Sequence, residues 1–178
     1  MNPLTSHSAS EHPVVFAWPG DMHLEAPDRD NFRVAQWMTG EVNAIAPDFV
    51  QFAGDNVQHA KDSEWALFAD IRAALTVPHH AIVGDHDAHH DAGCHAFKTH
   101  VGAPYGAFSL RGFRFVRLNL MESHPLGMSP EQVFWFRYEV DAAIARGERV
   151  VVFQHHYPFK VCETFDGPGM AEWREIVQ

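Results

Sequence analysis

Four short apolar runs in this chain each end in a carboxylate or an imidazole. Val14-Val15-Phe16-Ala17-Trp18 is broken by Pro19-Gly20 just before Asp21-Met22-His23, and residues 48–53 lead through Gly54 to Asp55. Ile82-Val83-Gly84 delivers Asp85-His86-Asp87, and Val150-Val151-Val152-Phe153 runs into Gln154-His155-His156-Tyr157-Pro158. An apolar run closed by a glycine reads as a buried strand that turns sharply. Charges attached directly to such strands are costly unless they are paired or hold a metal. A single ending of this kind is more often a turn residue or a helix cap. Recurrence in series points instead to one shared site.

Helical patterns separate the runs. Asp28, Asp30 and Asn31 are candidate caps for a helix whose apolar positions Phe32, Ala35, Met38, Val42 and Ile45 recur at spacings of three and four, ending near Pro47. Asp62 or Ser63 opens a second, with Trp65, Phe68, Ile71 and Leu75 on one side and Pro78 as its stop. Strands alternating with helices predict parallel βαβ units whose carboxyl ends gather along one edge, where α/β sheets bind their ligands. Asp21, His23, Asp55, Asp85 and His86 then converge. Residues 87–106 lack a period and read as a long loop over that edge. Residues 107–110 and 113–120 predict a hairpin about Arg111-Gly112, so the architecture is not purely parallel. Ser129-Pro130-Glu131-Gln132 is a helix start, with Val133, Phe136, Val140 and Ile144 as its buried stripe.

The chain of 178 residues, 46% hydrophobic, has the size of one domain, expected over 14–178 behind a disordered tail over 1–13. A formal net charge of -10 argues against general binding to nucleic acid or anionic membrane. No apolar stretch reaches the roughly 18 residues of a membrane span, and the polar tail lacks the apolar core of a signal peptide, so the expected location is cytoplasmic. Cys94 and Cys162 are too few and too far apart to imply a disulfide framework. Fourteen histidines against thirteen Lys plus Arg, many beside acidic residues, supply the ligand set of hydrolytic zinc, iron and manganese sites.

The order of these motifs resembles the calcineurin-like metallophosphoesterase superfamily, and its cyclic-nucleotide-phosphodiesterase-like branch in the spacing. Asp21 and His23 match the family's Asp-x-His, Gly54-Asp55 its Gly-Asp, residues 84–87 its Gly-Asn-His-Asp/Glu, and His156-Tyr157-Pro158 its histidine before a proline. The resemblance implies a four-layer α/β-β/α sandwich of mixed sheets. It implies two divalent or trivalent metal ions (Mn, Fe or Zn), one on Asp21 and His23, the other on Asp85 and His156, with Asp55 bridging. It further implies phosphoester hydrolysis by a bridging hydroxide, with His86 as acid toward the leaving oxygen and Asp87 orienting His86. The implied partner is a small phosphate ester, either a monoester or a diester such as a cyclic nucleotide or glycerophosphodiester.

Two departures set the alternatives. Asp85 stands where the family has asparagine, and no Gly-His-x-His follows His156, so the domain is expected to be incomplete at its C-terminus. Spare imidazoles at His89, His90, His95, His124 and His155, or a second copy of the chain in a homo-oligomer, could supply ligands. The competing reading is a degenerate domain with weakened metal binding and a binding or regulatory role. A hydrolase of non-phosphate esters or amides is a third.

Overall fold

A computed structural model describes residues 13–89, 91, 93–157 and 166–178. The tail before Pro13, His90, Pro158 and Cys162 lie outside the described residues. In chain order the elements are β1 (Phe16–Ala17), α1 (Asp30–Ile45), β2 (Phe49–Phe52), α2 (Asp62–Ala73), β3 (His79–Ala81), α3 (Asp85–Ala88) and α4 (His95–His100). Then follow β4 (Gly106–Leu110), β5 (Phe113–Arg117), α5 (Pro130–Ala145), β6 (Arg149–Phe153) and α6 (Met170–Ile176).

The strands form two sheets. In the first, β1, β2 and β3 lie side by side in that order and all parallel. In the second, β4 and β5 are an antiparallel hairpin and β6 joins β5 in parallel. Arg111 and Gly112, between the paired Leu110 and Phe113, both take positive φ, the backbone twist a two-residue hairpin turn needs.

Strand alternation then stacks the layers. Phe49 of β2 turns toward the second sheet, its ring 5.0 Å from both Phe108 of β4 and Phe115 of β5. Phe52 belongs with the opposite face, where its ring meets Phe68 of α2 at 5.0 Å. On the second sheet's outer side α5 packs against β5 and β6, burying Phe136 and Val140. The order of layers is thus helices, parallel sheet, mixed sheet, helix, the α/β-β/α sandwich.

Local details differ from the sequence expectations for identifiable reasons. The third strand ends at Ala81, one residue before the expected run, although Ile82 continues its pairing by donating to the Phe52 carbonyl at 3.1 Å. The loop expected over 87–106 holds the end of α3 and all of α4, whose short helices offer too few turns for a period to show. Ile45 and Ile144, at the last turns of their helices, project past the core and are 69% and 65% exposed. The N-cap position of α1 falls on Arg29, which makes no side-chain cap bond, and Asn31, inside the first turn, accepts from the Phe32 N–H at 2.9 Å. Ser129 does cap α5, accepting from the Gln132 N–H at 3.2 Å. The Gln132 side chain is used elsewhere, bonded to both backbone groups of Asn119 at 2.8 Å.

Candidate metal centre

Beyond the ends of β1 and β2 the chain keeps pairing although it has left strand geometry. Asp21 N–H donates to the Gly54 carbonyl at 3.1 Å and His23 N–H to the Asp55 carbonyl at 2.9 Å. Asp21, His23 and Asp55 all hold φ near +50°, a left-handed backbone that costs a non-glycine residue of order 1 kcal/mol or more and is concentrated at functional sites. Asn31, in the first turn of α1, holds the first loop by donating its amide to the carbonyls of Met22 and His23. A Cβ on Gly84 would lie 2.1 Å from Asp55 Oδ1, and one on Gly54 2.6 Å from the His155 ring. The glycines that end these runs are therefore what lets the strand ends approach.

Asp55 sits at the centre. Its Oδ1 accepts from the His86 N–H at 3.0 Å, while Oδ2 lies 3.6 Å from His23 Nε2 and 3.4 Å from His155 Nε2. Asp85 Oδ1 lies 3.5 Å from His155 Nε2 and 3.3 Å from His156 Nε2. Among the described residues three groups have potential ligand atoms within 4.8 Å of one another: His23, Asp55 and His86; Asp21, Asp55 and His155; Asp85, His155 and His156. Burial alone would raise the Asp55 carboxyl, but His155 and the His86 N–H outweigh it and hold it below the usual carboxylate range. Burial likewise opposes a charge on His155, yet hydrogen bonds to Asp55 and the Ala53 carbonyl raise its pKa to about 9. His156 moves the other way, lowered by burial and then by the adjacent His155.

This is the donor set and the crowding of acidic oxygens that hold metal cations, and the chain's sequence agrees. The family model of calcineurin-like phosphoesterases, Metallophos, matches residues 15–178. The chain belongs to that family. No curated relative matches it. Among solved structures it is similar to a dimetal phosphatase from Danio rerio, with a TM-score of 0.75 at 13% identity, over 93% of this chain and 78% of that one. It is also similar to a purple acid phosphatase, PPD1, from yellow lupin (Lupinus luteus) seeds, with a TM-score of 0.62 at 15% identity. That similarity covers 81% of this chain and 30% of the lupin protein. Both likenesses are of fold.

Within this phosphoesterase fold the five expected ligands, Asp21, His23, Asp55, Asp85 and His156, lie together with His86. His155, expected only as a neighbour, is brought in as well, its Nε2 between Asp55 and Asp85. Residues 151, 153 and 155 share one parity, and Val151 and Phe153 face the first sheet, so the strand itself aims His155 at Asp55. Asp87 does not touch the His86 ring. It is fully buried and accepts from Gly84 N–H at 3.0 Å, Asn56 Nδ2 at 2.7 Å and Val57 N–H at 3.1 Å. Burial pushes its carboxyl up to about 7 against the pull of those bonds. His86 is oriented by the Gln58 carbonyl, 2.8 Å from Nδ1.

The residues fit metal ions on the structure's own terms. His155 Nδ1 lies 2.8 Å from the Ala53 carbonyl, which in the neutral ring puts the proton on Nδ1 and leaves the Nε2 lone pair for a cation. His23 Nδ1 is buried and has no hydrogen-bond partner among the described residues. Beside the cluster opens a cleft of about 470 Å³, lined in part by Asp85, His86, His89, Asp91, Met121 and His124.

Proposed function

We infer that this chain is a metal-dependent phosphodiesterase with a dinuclear site. Asp21, His23 and Asp55 would hold one ion, and Asp55, Asp85, His155 and His156 the other. The observation that carries the reading is the placement of Asp55, whose carboxylate takes part in two of the three ligand groups. Two ions there would supply Lewis acidity toward a phosphoryl oxygen and a water acidic enough to attack near neutral pH.

The chain's own groups do the rest. His86, held through Nδ1 by the Gln58 carbonyl, lines the cleft and, as the imidazolium, would give its Nε2 proton to a departing alkoxide. Asp87 acts through the backbone, tying residues 56–57 to residue 84 so that Asp55 and Asp85 keep their separation. The cleft's described lining contains no Lys or Arg, while Asp85 and Asp91 both contribute carboxylates. That balance disfavours the dianion of a phosphomonoester relative to the monoanion of a diester.

The test is manganese-stimulated hydrolysis of bis(p-nitrophenyl) phosphate and of p-nitrophenyl phosphate by the wild type and Asp55→Ala. We expect the diester to be preferred and Asp55→Ala to lose on the order of a hundredfold or more. Equal rates in the two proteins would overturn the reading. One observation favours a degenerate binding module instead: Asp85 places an extra negative charge at the site, its side chain 53% exposed. Metal analysis separates the two, since two tightly held ions per chain support the enzyme and none or one weakly held ion the module.

A further inference from the structure

Alongside β3, a cavity of about 170 Å³ is lined by His79, His80 and Ala81 of that strand with Arg72, Val101 and Arg117 among its other residues, and it shares no lining residue with the metal cluster. No carboxylate is among its described lining residues. Arg72 reaches it from α2, with Nη1 donating to the His100 carbonyl at 3.2 Å. Arg117, the last residue of β5, crosses to the first sheet, where Nη1 donates to the Ala81 carbonyl at 3.0 Å. Its Nε is buried and has no partner among the described residues. His80 is fixed by stacking on Phe108, ring centroids 4.3 Å apart.

The charge balance here is anomalous for this protein. Of the eight other arginines, those at 29, 33, 111, 114, 137, 146 and 174 each pair with a carboxylate, and Arg149 is exposed and lies over the Phe113 ring. Arg72 and Arg117 are partly buried and have no ion pair among the described residues, in a chain of net charge -10. Burial lowers the pKa of both, and it also lowers those of His79 and His80; His79 Nδ1 lies 3.4 Å from the Val77 carbonyl and spends its N–H there, which leaves the neutral His80 ring with an N–H to donate. Partly buried cations without a counter-charge are costly, and a concave low-dielectric wall focuses their field outward. Two guanidinium groups and the His80 imidazole around one small cavity form a complement to a compact anion. At roughly 30 Å³ per water the space holds about six waters, enough for a tetrahedral oxyanion and too little for a nucleotide.

We propose that this cavity binds a small tetrahedral oxyanion of the phosphate or sulfate class between Arg72 and Arg117, apart from the metal centre. The test follows the side-chain NMR resonances of Arg72, Arg117, His79 and His80 in the full chain during titration with sodium sulfate. Phosphate, acetate and chloride at matched ionic strength are run in parallel, with the His23 and His86 imidazoles as reporters of the metal centre. Saturable shifts at the four cavity residues with sulfate and phosphate are expected, weakened about tenfold or more in both Arg117→Gln and Arg72→Gln. Shifts confined to His23 and His86, shifts equal to those in chloride, tighter binding of acetate, or unchanged affinity in both folded variants would each overturn the proposal.

Discussion

Asp87→Asn isolates what holds the two acidic loops together. The Asp87 carboxylate accepts three hydrogen bonds in a region closed to water, two at Oδ2 from Gly84 N–H and Asn56 Nδ2 and one at Oδ1 from Val57 N–H. An asparagine keeps one acceptor oxygen. The cheaper orientation keeps it toward Gly84 and Asn56 and turns the new NH2 toward the Val57 N–H. One buried donor then loses its acceptor, at about 1–3 kcal/mol, and the new NH2 is buried with a similar cost. Two effects reduce the sum. The burial penalty that raises the Asp87 pKa to about 7 vanishes with the charge. Asn56 Oδ1, which has no partner among the described residues, could accept from the new NH2 if that amide turned. The net expectation is a loss of about 2–4 kcal/mol, a large share of the roughly 5–15 kcal/mol that stabilises a typical domain. Urea unfolding followed by tryptophan fluorescence measures it, with the exposed Glu41→Gln as control. A loss within about 0.5 kcal/mol of that control would refute the reasoning, because it would mean that the three bonds and the cost of the buried charge cancel.

Three further outcomes follow from the same geometry. Gly84→Ala drives a Cβ into the Asp55 carboxylate and backbone, at 2.1 and 2.3 Å, so it should cost about 1–3 kcal/mol and lower metal content, which elemental analysis reads. His155→Gln should cost more metal than the loss of any of the outlying imidazoles at His89, His95 or His124, and equal metal retention would remove His155 from the site. His80, with a pKa lowered to about 4 first by burial and then by Arg117, must be neutral in the fold. The folded state binds fewer protons than the unfolded one between about pH 6.5 and 4, so stability should fall as pH drops through that window. For a half-buried ring the screened loss is about 1 kcal/mol between pH 7 and 5, and His80→Phe should lack it in urea midpoints taken at both values.

The sequence made the fold readable where one face of an element is apolar and its end is punctuated. The runs at 48–53 and 150–153 alternate with helices of clear period, and Arg111-Gly112 announces its hairpin. It failed where too few residues carry a pattern, as in α3 and α4, or where a polar side chain serves a distant backbone. Asn31 and Gln132 look like helix caps because capping residues and loop clamps share one chemistry, and only tertiary placement separates them. The candidate site divides along the same line. Which strand ends meet follows from topology, so Asp21, His23, Asp55 and Asp85 could be grouped from order alone. Which way a side chain points follows from parity along a strand, and that signal was present for His155: Val151 and Phe153 line the inter-sheet core, and the next residue on that face is His155. Motif matching favoured His156 because of its distance from Pro158, whereas parity favours His155, and the structure puts both against Asp85. A family motif therefore locates the strand end and names His156, and the alternation of the strand before it adds His155 to the same centre.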